Sequence, residues 1–190
     1  MEDASGTMDK SVARPMSENC VTFARASRVA AATAVAGAML NPAGLRAEGV
    51  TGTIAYAAKS GLAVVVAPQH AYLVAGPDEV SGKPIRRVVL SVTDVSSKIR
   101  ACEAMSCADG SIGEGATIDL DAGSRANYWL VANGQRIQYS GSAEPASLAL
   151  TVNTPQRVAG RWDLDARAAG GPRVEVEFDA PLAREVKRAR

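Results

Sequence analysis

From Val50 onward, apolar residues alternate with polar ones or cluster in short runs, and Gly, Pro, Asn and Asp separate the runs. A period of two puts alternate side chains on opposite faces of an extended chain, so this pattern predicts strands and turns. Ten strands are expected, over 50–57, 62–67, 70–75, 85–93, 116–121, 126–132, 135–140, 148–152, 156–165 and 173–178. With links this short they predict an all-β domain, an antiparallel β-sandwich or a barrel-like arrangement of about ten strands. One short helix is expected over 96–105, capped by Asp94 or Ser96.

Two hairpins can be set in register from the residues. Asn133-Gly134 suits a two-residue turn, because both residues tolerate positive φ. Counting outward sets Leu130 opposite Ile137 and Tyr128 opposite Tyr139 on a core face. Trp129 then faces Gln138, and Val131 faces Arg136, on the other. A turn centred on Ala169 sets Trp162 opposite Val176, Leu164 opposite Val174 and Gly160 opposite Phe178. Its outer face brings Arg161 to Glu177 and Asp165 to Arg173.

The exception to the β pattern is the N-terminus. Val29–Leu40 is a stretch of twelve uncharged, mostly apolar residues, preceded by Arg25 and Arg28 and followed by Asn41, Pro42 and Gly44. As a helix it would rise only about 18 Å, short of the roughly 30 Å hydrocarbon core, which predicts a secretory signal helix rather than a membrane span. The leader is assigned to 1–47, with cleavage near 43–47 after Ala43 or Ala47, and Met8 or Met16 as alternative starts. A single β domain fills 48–190.

Removing the leader changes the rest of the picture. From Glu48 onward there are 16 basic and 16 acidic residues, so no general field favours nucleic acid or an anionic membrane, and membrane contact is expected only through the leader during export. Cys20 is lost, leaving Cys102 and Cys107 as an even pair. An oxidising compartment permits a disulfide between them.

Candidate chemistry is sparse. The only histidine, His70, shares a strand face with Tyr72 and Val74 and reads as a histidine packed at a core edge. Asp119 with Asp121, and Asp163 with Asp165, would each share a strand face, a spacing that solvated strands also produce. The glycines of DGSIGEG lack the Lys-Ser/Thr of a phosphate loop, and no metal or cofactor site is expected. The basic residues Arg184, Lys187, Arg188 and Arg190 read as a solvated tail. The candidate ligand-binding set is Trp129, Val131, Arg136 and Gln138, where an indole beside polar groups can hold a sugar ring or a partner's apolar anchor.

These features predict a small periplasmic or secreted β protein acting as a noncatalytic binding or accessory module, with an envelope protein or a carbohydrate as candidate partner. The alternatives are a hydrolase-like enzyme using convergent carboxylates and a structural component of the cell envelope.

Overall fold

The computed structural model describes residues 49–58 and 61–190; the predicted leader, with Lys59 and Ser60, lies outside the described residues. Alternation of apolar and polar residues produces ten strands close to where the sequence predicts them. They are β1 (Gly49–Ala57), β2 (Ala63–Val66), β3 (His70–Pro77), β4 (Pro84–Ser91), β5 (Gly115–Leu120), β6 (Ala126–Ala132), β7 (Ile137–Ala143), β8 (Leu148–Asn153), β9 (Arg157–Asp165) and β10 (Arg173–Glu185). Two short helices, α1 (Ser96–Ala101) and α2 (Met105–Gly110), lie between β4 and β5.

The strands form one curled mixed sheet, a half-barrel, in the order β2-β1-β10-β3-β4-β5-β6-β7, with β9 also on β10 and β8 on β9. The wholly antiparallel arrangement expected from the sequence is corrected at β10. This strand runs antiparallel to β9 over 173–181 and to β1 over 173–179. It then continues to Glu185 and runs parallel to β3, from Leu182 opposite Leu73 to Glu185 opposite Ala75, with a register shift between Leu182 and Arg184. Alternation is lost after Phe178, so the extension is invisible to periodicity. Asp179 is nonetheless buried there, because Arg157 reaches across from β9 and donates Nε to its Oδ1 at 2.7 Å. Where β1 crosses β10, Gly52 has a φ of +109°, and a Cβ there would lie 2.0 Å from the Glu175 carbonyl oxygen.

Curling brings the sheet's inner face against itself. Ile54 from β1, Trp162 from β9 and Val174, Val176 and Phe178 from β10 meet Leu73, Leu90, Ile118 and Leu130. Tyr128 packs edge-on against Trp162, with ring centroids 5.4 Å apart. The β9–β10 register is the predicted one in every pair named above, including Trp162 opposite Val176. The outer charges also pair along and diagonally across the strands: Arg173 reaches Asp163 at 2.8 Å, and Arg167 reaches Asp165.

The outer face of β3–β6 is buried too. Tyr72, Val74, Ile85, Val89 and Val131 lie under Val95, Ile99, Met105, Ala108 and Ile112 from the helical segment. The single helix predicted over 96–105 is two, because the chain turns extended at Cys102 and Ala104. Cys102 and Cys107 are joined by a disulfide across this break, with their Cα atoms 5.5 Å apart. The basic side chains of the tail are exposed as expected, but its backbone is docked: the Arg188 carbonyl accepts from the Met105 amide at 3.1 Å, Arg184 Nε donates to the Cys102 carbonyl at 3.0 Å, and Arg188 pairs with Glu103.

Candidate functional site

The helical layer stops short of the β5–β7 end of the outer face, and a groove of about 530 Å³ opens where it ends. Strand register builds its floor in two rows. One row runs Arg87, Asp119, Asn127, Ser142 across β4 to β7; the next runs Val89, Thr117, Trp129, Ser140. Adjacent strands lie about 4.8 Å apart, so each row spans about 14 Å. Asp109 from α2 also lines the groove.

Arg87 is the centre of the site and is only 7% exposed. Its Nε and Nη2 donate to the two oxygens of Asp119 at 2.5 and 2.8 Å, and Nη1 donates to both oxygens of Asp109 at 2.9 and 2.7 Å. Burial disfavours the charged guanidinium, but the two carboxylates outweigh it and hold Arg87 more firmly protonated than usual. Burial acts the other way on Asp109 and, with Asp119 and Glu79 nearby, pushes its carboxyl up to about 6 despite Arg87.

Of the four residues singled out in the sequence, the structure brings only Trp129 into the groove, where it is partly exposed and also packs on the helix-covered cluster. Val131 is fully buried in that cluster, which removes it as a ligand contact. Arg136 and Gln138 lie at the hairpin turn, outside the groove lining, and the Gln138 side chain donates to the Gln135 carbonyl at 3.0 Å. The hairpin register is corrected by two residues. Asn133, Gly134 and Gln135 all have positive φ, the loop takes in Arg136, and Ala132 pairs with Ile137. Trp129 therefore faces Ser140 and Val131 faces Gln138, while a shift of two leaves each residue on its predicted face.

The groove residues missed in the sequence are Arg87, Asp109, Thr117, Asn127, Ser140 and Ser142. The signal available for Arg87 and Asp119 was charge inside otherwise apolar strands, the Arg86-Arg87 pair of IRRVVL and the single aspartate of ATIDL. Asp119 does not share a face with Asp121: β5 ends at Leu120, Asp121 has a φ of +67°, and its carboxylate meets Arg86 instead of Arg87.

A second concavity holds His70 and Tyr72, whose rings stack with centroids 6.4 Å apart. The Tyr72 hydroxyl donates to Asp94 at 2.6 Å, and Asp94 also accepts the Ser96 amide at the start of α1. Burial and this bond push Tyr72 up to about 12, while the Tyr72 hydroxyl and the Ser96 amide hold Asp94 well below the usual carboxylate range. These residues are bound to one another in a way that fixes α1 to β3. Among the described residues no cluster of three or more His, Cys, Asp or Glu side chains could hold a metal ion, and no helix is long and apolar enough to cross a membrane.

Compared with known protein families, with curated proteins and with solved structures, the chain matches none.

Proposed function

We propose that this chain is an exported, noncatalytic binding module whose ligand site is the Trp129 groove. The observation that carries the reading is a partly exposed indole fixed on a sheet beside the buried Arg87, which Asp119 and Asp109 clamp. Groups held this rigidly lose little side-chain entropy when a ligand arrives, the condition for useful affinity from a small surface. Export is supported by the short apolar stretch behind Arg25 and Arg28, and by a cysteine pair suited to an oxidising compartment.

Asp109 and Asp119 do converge, which favours a hydrolase as the second reading. Binding is preferred because all four carboxylate oxygens already accept from Arg87, so both acids are engaged in tying α2 to β5.

The test immobilises the wild-type domain and Trp129→Ala and passes detergent-solubilised envelope proteins and glycans over both. Material retained by the wild type and lost by the variant is the expected outcome; equal retention by both would overturn the groove as the site. Intact mass of the chain recovered from the envelope fraction should show a start within 44–48, and a chain retaining Val29–Leu40 would overturn export.

A further inference from the structure

Given the Trp129 groove as the binding site, on which this step rests, its chemistry narrows the class of ligand. Among the described residues Arg87 is the only cation lining it, and that guanidinium is buried with Nε, Nη1 and Nη2 all engaged by carboxylates. Arg125, just before β6, pairs with Glu144 and gives its Nε to Ser142 Oγ at 3.1 Å. An anionic ligand would thus meet two carboxylates and no uncommitted guanidinium. An apolar ligand would find a single indole among amide, hydroxyl and carboxylate groups, which would lose water without replacement partners.

A cation would use the carboxylates but not the donors. Asn127, Ser140 and Ser142 are exposed and offer N–H and O–H donors beside acceptors, on the same rows as Asp119 and Trp129. Mixed donors and acceptors match hydroxyl groups, each of which also donates and accepts. The carboxylate oxygens retain lone pairs beyond those given to Arg87, in positions the clamp fixes. Trp129 supplies the flat apolar surface that the C–H face of a sugar ring needs.

We propose that the groove binds a neutral, hydroxyl-rich glycan laid across β4 to β7, with one ring on Trp129 and hydroxyls on Asp119, Asn127, Ser140 and Ser142. The row length of about 14 Å suits a short run of sugar units rather than one ring.

The experiment is native affinity electrophoresis of the full domain through gels containing dextran or hydroxyethylcellulose as neutral polymers, polygalacturonate or heparin as polyanions, and chitosan as a polycation. Retardation by a neutral polymer is expected, unchanged by added salt because no charge is neutralised, and about tenfold weaker in Trp129→Ala. Asn127→Ala, at an exposed position, should weaken it in the same direction and keeps the test valid if Trp129→Ala fails to fold. Retardation only by charged polymers, lost in Trp129→Ala, would overturn the neutral class while leaving the groove as the site. Retardation that survives both substitutions would overturn the site itself. Migration unaffected by every polymer would overturn the glycan, and the envelope-retention experiment would still decide the groove.

Discussion

Arg87 holds Asp119 through two parallel hydrogen bonds, of 2.5 and 2.8 Å, from a position on β4 that is 7% exposed. Removing one partner of a buried pair leaves the other charge without compensation, at a cost of about 3 to 5 kcal/mol. Arg87→Met leaves both Asp109 and Asp119 in that state, and urea unfolding should show a loss in this range. A loss under about 1 kcal/mol would show that the clamp does not hold the sheet face.

Asp109 gives the molecule a pH dependence near neutrality. Its folded carboxyl titrates at about 6 against 3.8 for the ordinary group, because burial holds the proton. A raised value means that the folded state binds the proton more tightly, so this contribution to stability is complete below about pH 3.8 and is lost as pH rises through 6. Carboxyl-carbon NMR should place Asp109 near 6, and Asp119→Asn should move it down by removing a neighbouring charge and freeing Arg87. A wild-type value near 4 would refute the burial.

Trp162 is 1% exposed, between Tyr128 and the β10 side chains. Trp162→Ala should cost about 3 to 5 kcal/mol. An unchanged thermal melt would place the core elsewhere.

The disulfide closes a small loop at the break between α1 and α2. Chain entropy assigns such a loop about 2 kcal/mol, so replacing both Cys102 and Cys107 by serine should lower stability by that amount. Because Asp109 sits on the same short helix, hydrogen exchange should rise first over 102–112. Uniform loosening across the sheet would argue against a local staple.

Much of this architecture is legible in the chain because period two and turn residues are local signals. The β9–β10 register was readable because apolar pairs and opposite charges fall into one alignment. The central hairpin was misread by two residues because Asn133-Gly134 looks like a complete turn, whereas Gln135 also takes positive φ and the loop is longer. The groove was mostly illegible. Arg87, Asp109 and Asp119 come from β4, α2 and β5, and only tertiary pairing brings them together. The docking of the tail is not legible because its main-chain bonds to Met105 and Ser106 leave no pattern in its exposed side chains.

One consequence of β10 concerns time rather than shape. The strand β10 pairs with β1, the first described strand, as well as with β3 and β9, joining Gly49 to Asp179. The β3–β7 strands pair in sequence order, but they cannot be joined to β1 until β10 is available. Contacts so distant in sequence form slowly, in the millisecond-to-second range typical of nonlocal β topologies. A chain cut before Arg173 should remain open to proteases and to whatever machinery takes up unfolded polypeptide, whereas one that carries β10 should resist them.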